Sequence, residues 1–450
     1  MTLQPEAITQ LIEAGDGWHR QNIARGKNTP PEVLTALADD PDIFVRDRVA
    51  GNPNTPSEIL VRLGMDSSPY VREGVAQNPS TPEDVLAKLA KDEDNGVRYH
   101  LVSNPSVPLN VLRLLVSDES VPVREHLALH WTTPPEILVE LAKDEDPLVR
   151  QGVAINASTP SEVLAILAKE ENKEIREHVA YNRNTPSETL EKLARDRNST
   201  VRQAVAMNRH TPQDVIIKLS KDRHNLVRQA ISYNPEAPLE AWDNLANDKA
   251  SLVRRIAALS RHAPVDILTQ LSNDDNGDVC YNVATNPCAT PHILFKFAQG
   301  DLTFLHEGVA KNRSATPEIL AILARDQEIE VRRNVATHPN TSRETLEELA
   351  KDPDIGVRKG VVSNKNTSRE ILNILLHDPD PWMRCYIARR PSTPPDALLE
   401  LARDPDEMVR QGVALNENAP PQILVILSSD PSESVRNKLF SNPSYKRIEE

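Results

Sequence analysis

Apolar side chains recur along the chain in two short blocks, and the pattern repeats every 26 residues. One copy shows the arrangement: Val149 and Val153 share a face of one predicted helix, and Val163, Leu164 and Leu167 share a face of the next. A fixed period of this size, with two helical patterns in each unit, is typical of a solenoid. One unit buries too little to stay folded, so each unit must pack against its neighbours.

Polar residues and prolines mark the predicted helix ends. The segment Thr159-Pro160-Ser161-Glu162 fits a capping box with an early proline, so we expect a helix A of about ten residues with Thr159 as its N-cap. A shorter helix B of about seven or eight residues, α or 3₁₀, carries Val149 and Val153. An Asp, Asn or Ser is expected to cap helix B, and Asn-Pro to end it.

An arginine occupies one fixed place of the unit. It recurs every 26 residues from Arg20 to Arg436, except where Cys280 and His306 stand. This row of arginines resembles an anion-binding ladder, but an aspartate also recurs at a fixed place. Bidentate Arg–carboxylate bonding explains why Lys never replaces Arg, so we favour a structural role. Gly300 replaces the aspartate in the unit that contains His306, so we expect both partners to be lost together there.

The consensus N-P-x-T-P-x-E-x-L-x-x-L-A-x-D-x-D-x-x-V-R-x-x-V-A resembles the leucine-rich repeat variant (LRV) family, over about residues 3 to 443. The resemblance implies a right-handed superhelix of alternating α-helices and short, often 3₁₀, helices, without a β-sheet. Some members of that family carry an N-terminal iron–sulfur domain with clustered cysteines. Residues 1–279 contain no cysteine, so that cluster is not carried over. HEAT repeats are a looser likeness.

The fold class we expect is all-α: a right-handed α-solenoid of about 17 two-helix repeats, with a longer α-helix and a short α or 3₁₀ helix in each. Residues 1–26 are expected to form an atypical N-terminal capping repeat. Residues 27–442 are expected to form the solenoid, and residues 443–450 a C-terminal tail.

Composition narrows the classes of function. The net charge of −14 argues against bulk binding of nucleic acid or an anionic membrane, which needs a basic face. No apolar run reaches the ~20 residues of a membrane span, and the first residues lack the features of a signal peptide. Three cysteines do not suggest a disulfide framework. We therefore expect a cytoplasmic protein without a membrane contact.

An apolar column is the first candidate site. The place after Val-Ala in helix B is apolar in six consecutive units, and polar or small in most others. It is either a wider core or a stripe that binds a partner protein. The residues of this apolar column are Leu129, Ile155, Tyr181, Met207, Tyr233 and Leu259.

A basic patch is the second candidate site. Between Arg195 and His262 there are twelve Lys or Arg and seven Asp or Glu, in a chain that is otherwise acidic. These cations either complement helix C-termini or bind an acidic protein or a nucleic-acid backbone. The residues of this basic patch are Arg195, Arg197, Lys221, Arg223 and Lys249.

Two aberrant units bring Cys280, Cys288, His292 and His306 within 27 residues. Their spacing matches no tight zinc or iron–sulfur pattern, so we expect no metal and no other cofactor. No catalytic motif is present either. We expect a non-enzymatic scaffold that binds a protein partner, and a monomer. The alternatives are an enzyme or lyase-like factor on the same solenoid, and nucleic-acid binding through the basic patch.

Overall fold

The computed structural model describes residues 16–445, which are helical and contain no strand. They divide into two compact units at the Ala241–Trp242 bond, and helix Leu239–Ala246 contains that boundary. Within each unit the repeats alternate a helix A and a helix B, which confirms the predicted all-α fold of two-helix repeats. Residues 1–15 of the predicted capping repeat and 446–450 of the predicted tail lie outside the described part. Those boundaries stay predictions.

The first unit alternates these helices in chain order, beginning with a helix B. Its B helices are Gly17–Arg25, Ile43–Ala50, Pro69–Gln77, Asn95–Val102, Val121–Leu129, Pro147–Ile155, Lys173–Tyr181, Ser199–Met207 and Asn225–Ala230, the last extended by the 3₁₀ turn Ile231–Tyr233. Its A helices are Pro31–Leu37, Ser57–Leu63, Glu83–Leu89, Leu109–Leu115, Pro135–Leu141, Ser161–Leu167, Ser187–Leu193 and Gln213–Leu219.

The second unit keeps the same alternation. Its B helices are Ser251–Leu259, Gly277–Thr285, Thr303–Lys311, Ile329–Thr337, Ile355–Ser363, Pro381–Arg389, Glu407–Ala414 and Glu433–Phe440. Its A helices are Val265–Leu271, Pro291–Gln299, Pro317–Leu323, Arg343–Leu349, Arg369–Leu376, Pro395–Leu401 and Pro421–Ser428.

The expected lengths of the two helices are wrong. A typical helix A, Ser161–Leu167, has 7 residues, and a typical helix B, Pro147–Ile155, has 9 and is α throughout. Helix A begins late because Pro160 has an extended backbone, with φ −62° and ψ 147°. Helix B continues to Ile155 because its amides stay bonded until Asn156 turns the chain.

The expected capping box at helix A is also wrong. The Thr159 hydroxyl does not cap the helix that follows; it donates to the Val153 carbonyl of the preceding helix B at 2.6 Å. The threonine therefore satisfies an orphan carbonyl at a helix end, which explains its burial. At helix B the prediction holds for aspartate and asparagine, since Asp146 and Asn172 accept amide hydrogen bonds from the first turn. It is wrong for the serines, since Ser68 and Ser120 accept none.

The core of each repeat consists of the predicted apolar residues. Val149 and Val153 of helix B and Leu164 and Leu167 of helix A are fully buried. Adjacent B helices approach closely because small residues lie between them: a Cβ on Gly152 would be 2.9 Å from the Cβ of Ala128. B helices therefore lie side by side as a layer, and one face of each remains open to solvent.

A row of buried asparagines joins successive repeats, a function that the sequence analysis did not assign to Asn-Pro. Asn156 donates from Nδ2 to the carbonyls of Ala128 and His130 at 2.8 and 2.9 Å, and its Oδ1 accepts from Ser158. The same bonds recur from Asn52 to Asn442 in most repeats, in each case to the preceding repeat. The strict period of 26 at this residue was the signal for the role.

Candidate interaction surfaces

The arginine row is a ladder that connects neighbouring repeats. Arg202 donates from Nε and Nη2 to the two carboxylate oxygens of Asp222 at 2.7 and 2.9 Å, and from Nη1 to the Asp196 carbonyl at 2.8 Å. Both side chains are largely buried, at 6% and 10% exposed. The bidentate face of the guanidinium is therefore used within the protein, and the structural interpretation holds.

The pKa of the ladder aspartates reflects this bonding. Burial by itself raises the pKa of Asp222, but the hydrogen bonds from Arg202 and from the His224 amide outweigh it and hold the pKa below its usual value. Asp196 has the same balance of causes, with Arg176 as its partner. The carboxylates of Asp222 and Asp196 are thus held in the charged form.

The interruption of the ladder differs from the prediction. Ladder arginines such as Arg202 bond to the acid 20 positions later, so the pair that is lost together is Cys280 and Gly300, not Gly300 and His306. His306 keeps its partner, since its Nδ1 lies 2.5 Å from Asp326 Oδ2 and its Nε2 lies 3.1 Å from the Gly300 carbonyl. Cys280 Sγ lies 3.3 Å from the Asp274 carbonyl, the place that an arginine Nη1 has elsewhere.

These cysteines and histidines are not brought together. His306 is engaged with Asp326, and Cys288 Sγ lies 3.3 Å from the Arg261 carbonyl. Burial, and then the charge of Asp274, raise the pKa of the Cys280 thiol. Between residues 16 and 445 no group of three or more His, Cys, Asp or Glu is arranged to hold a metal ion.

The apolar column lies on the open face of the B helices, near their C-terminal ends. Exposure of its side chains runs from 40% for Leu129 to 56% for Tyr233, apart from the half-buried Met207. The Tyr181 hydroxyl lies 3.6 Å from Met207 Sδ, so adjacent members of the column touch. The column is therefore a surface rather than core; its role stays a prediction.

Two cations flank the column at the turn that follows helix B. Arg183 and Arg209 come two residues after Tyr181 and Met207, and both are exposed. Arg209 lies 3.4 Å from Glu236 of the next repeat. The sequence analysis missed these two arginines because it compared single columns rather than neighbouring ones.

The basic patch lies at the other end of the B helices. Arg197 precedes helix Ser199–Met207, whose nine residues separate it from the column by about 12 Å of helix. Arg195, Arg197 and Arg223 are exposed, and Lys221 lies 3.7 Å from Glu240. Lys249 is exposed in the second unit. The structure therefore places the patch apart from the column.

Two aromatic groups were not found from the sequence. Trp18, Phe44 and Tyr70 stand 26 residues apart on three successive B helices and are at least 60% exposed. In the following repeats the rings of Tyr99 and His126 stack at 4.1 Å. Burial, and then neighbouring histidines, lower the pKa of His126 to about 4. The spacing of 26 residues between Trp18, Phe44 and Tyr70 is the sequence signal that could have identified the first group.

Among residues 16–445 no helix combines the length and the apolar character that a membrane crossing needs.

Comparison with known proteins identifies the repeat. The family model described as "Leucine rich repeat variant" matches residues 69–94, 174–198, 329–354 and 381–406. These four stretches are leucine rich repeat variant repeats. The resemblance of the consensus to LRV repeats is thus confirmed. Their ladder and asparagine bonds recur through most of the remaining units.

Three solved structures show similarity to this chain. One, titled "a leucine-rich repeat variant with a novel repetitive protein structural motif", is 28% identical over 47% of this chain and 85% of its own, with a TM-score of 0.38. Kap121p bound to Nup53p is 13% identical over 99% of this chain and 57% of its own, with a TM-score of 0.38. UNC-45 from Drosophila melanogaster is 14% identical over 99% of this chain and 68% of its own, with a TM-score of 0.27. A search of curated proteins gives no match.

Proposed function

We propose that this chain is a non-enzymatic scaffold whose protein partner binds on the apolar column. The observation that supports the proposal is the exposure of large apolar side chains in consecutive repeats, where the buried core needs none of them. A contiguous exposed apolar stripe of this kind is typical of a protein-binding surface. We also propose a cytoplasmic setting, because the three cysteines are free thiols.

The variation of the column along the chain supports binding rather than packing. A structural requirement recurs along the whole chain with few exceptions, as the ladder and the asparagine row do. The same place holds Gly51, Gln77 and Ser103 in the three repeats before the column begins. Those repeats fold with the same helices and the same bonds, so the large side chains from Leu129 onward are not needed for folding.

Tyr181 and Tyr233 are the anchors that we propose within the first unit. Tyrosines carry a large share of interface energy because they bury much area at a low cost in conformational entropy. Arg183 and Arg209 stand beside the column, so a partner that offers apolar side chains flanked by carboxylates is the best complement.

A capture experiment tests the proposal. The immobilised chain is incubated with native cell extract, and bound proteins are quantified by mass spectrometry for wild type and for Tyr181→Glu with Tyr233→Glu. Both rings are exposed, so the variant should fold, with an unchanged melting curve, and lose its most enriched partner. Replacing two hot-spot residues lowers affinity by at least about 30-fold.

The matched control is Tyr70→Glu with Trp382→Glu, which alters two exposed aromatic rings outside the column. Retention of the partner by this control, with loss in the column variant, supports the proposed surface. Loss in the control alone would move the site to the other aromatic rings and refute the proposal. A photoreactive residue at position 155, which should cross-link to the same partner, gives an independent readout.

A further inference from the structure

A row of charged residues follows the turns between helix A and helix B in the first unit. These residues stand 26 positions apart, one in each of six successive repeats, and all are exposed. The sign changes once along the row, from acidic to basic. The members of this turn-edge row are Glu93, Glu119, Glu145, Glu171, Arg197 and Arg223.

The acidic half of the row is explained within the chain. Each member stands 21 positions after a ladder arginine; Arg98 Nη2 lies 3.2 Å from Glu119 Oε1, and Arg72 Nη2 lies 3.8 Å from Glu93. In the second unit Asp275 has the same place, with a carboxylate oxygen 2.9 Å from Arg254 Nη2. An acid at this place therefore adds a second carboxylate to a ladder arginine.

The basic half has the opposite relation to the ladder. Arg197 and Arg223 occupy the same place relative to Arg176 and Arg202, so two like charges replace an attractive pair. Neither Arg197 nor Arg223 forms an ion pair with another residue between 16 and 445. The charge of Arg197 lowers the pKa of the adjacent Asp196, but neither exposed guanidinium has an ion-pair partner of its own in the described part of the chain, so both are open to a carboxylate from outside.

The arrangement of the two halves identifies the source of that carboxylate. About the midpoint between Glu171 and Arg197 the four central members of the row are antisymmetric: Glu171 mirrors Arg197, and Glu145 mirrors Arg223. We propose that two copies of this chain pair antiparallel along the turn-edge row, around a twofold axis at that midpoint. Glu145 and Glu171 then each face an arginine of the other copy, and the twofold axis repeats each of the two pairings.

Exposed leucines follow the same symmetry. At the second residue of helix B, Leu148 is 50% exposed and Leu226 is 54% exposed, in the repeats of Glu145 and Arg223. The twofold axis places Leu148 of one copy opposite Leu226 of the other, outside the inner charged pairs. The repeats between them carry polar Glu174 and Thr200 at that place. The interface therefore combines ion pairs at its centre with an apolar contact at each end.

The symmetry favours a second copy over other anionic partners. A nucleic acid or an acidic peptide laid along the row would meet Glu145 and Glu171 as well as the arginines, whereas a second copy matches both halves. This inference departs from the monomer that we expected from the sequence, because that expectation treated each charge within its own repeat. It does not use the apolar column, so it stands apart from the proposed function.

Sedimentation equilibrium on the full chain tests the inference. Wild type should form a dimer whose dissociation constant rises with salt, because exposed ion pairs are screened. Arg197→Glu with Arg223→Glu makes the four central members acidic, and Glu145→Arg with Glu171→Arg makes the same four basic. Each variant alone should be a monomer, with a dissociation constant raised at least about 100-fold.

Mixing the two variants gives the decisive measurement. Every facing pair is then Glu against Arg, so the mixture should form a 1:1 heterodimer that light scattering resolves from either monomer. The control, Arg183→Glu with Arg209→Glu, reverses two charges at the other end of the B helices and should leave the wild-type dimer intact. Circular dichroism verifies the helix content of each variant.

Three results would overturn the inference. The first is a wild type that stays monomeric at roughly 100 µM in low salt. The second is a dimer that persists in both charge-reversed variants. The third is a mixture in which the variants do not associate, which would assign Arg197 and Arg223 to a different acidic partner. The tyrosine variant separates this inference from the proposed function. If that variant loses its captured partner but still forms the dimer, the result supports the proposed function and does not contradict the dimer.

Discussion

Replacing Arg202 with methionine removes one rung of the ladder while keeping much of the volume of the side chain. The substitution deletes two bonds to Asp222 and one to the Asp196 carbonyl, all 2.7–2.9 Å long. It also leaves the Asp222 carboxylate, which is 10% exposed, with its amide bond from His224 as the partner that remains. The perturbation is therefore a buried charge without its counter-ion, not only a lost contact.

The size of the effect follows from these bonds. A hydrogen bond to a charged group contributes about 1.5–3 kcal/mol, and breaking a buried ion pair costs about 3–5 kcal/mol. Asp222 keeps its amide bond and some contact with water, so we expect about 2–4 kcal/mol of lost stability. The loss should be concentrated in the two repeats that the rung joins, because repeat proteins distribute their stability over neighbouring units.

Hydrogen exchange by mass spectrometry measures this loss locally, together with urea denaturation of the whole chain. Peptides of helix Ser199–Met207 and helix Gln213–Leu219 should exchange faster in Arg202→Met than in wild type. Peptides of the first described repeats should be unchanged. The matched control is Arg195→Met, since this arginine is exposed and lies outside both the ladder and the turn-edge row.

A double-mutant cycle separates the rung from the loss of packing. The chain itself lacks both the arginine and the aspartate of one rung, at Cys280 and Gly300. Arg202→Met combined with Asp222→Asn should therefore lower the free energy of unfolding by less than the sum of the two single changes. The reasoning is refuted if the two effects simply add. It is also refuted if Arg202→Met leaves stability unchanged and abolishes binding of a ligand.

Three further predictions follow from the same bonds. Asn156→Ala removes three hydrogen bonds, so the midpoint of urea unfolding should fall by the equivalent of about 1.5–4 kcal/mol. Cys280→Arg with Gly300→Asp should restore a rung and raise the melting temperature. The aspartate fits because a Cβ at Gly300 meets ordinary contacts at 3.5 Å. Cys280→Arg alone should not raise the melting temperature. The pKa of Asp222 is lower in the folded chain than in the unfolded chain, where it is about 4, so the charged carboxylate stabilises the fold above about pH 4. Calorimetry should show that this stabilisation is lost as the pH falls further.

Much of the fold is predictable from the sequence because each repeat is defined by local rules. The spacing of Val149, Val153, Leu164 and Leu167 places each pair on one face of its helix, and all four are buried as expected. The period of 26 predicts a solenoid without reference to distant contacts. Capping of helix B was likewise predictable, since Asp146 bonds to an amide two residues away.

Apart from the helix lengths, the predictions that failed concern bonds to a neighbouring helix or repeat. Thr159 was assigned to the helix that follows it, yet its hydroxyl bonds to the helix before it. Gly300 was paired with His306 of its own unit, yet ladder bonds join residues 20 positions apart. A motif within one repeat predicts which residue types form a bond. The period of 26 does not predict whether the bonding partner lies in the same repeat or in a neighbouring one.

The sequence by itself determined the repeat, its helices and its buried faces, because those depend on spacings within about ten residues. The tertiary structure decided which surfaces remain open. It placed the apolar column at one end of the B helices and the basic patch at the other, and it turned the asparagine row inward. Exposure depends on how neighbouring repeats cover one another. The same Tyr181 would be core or surface according to the approach of the next helix, and only the packed repeats decide that.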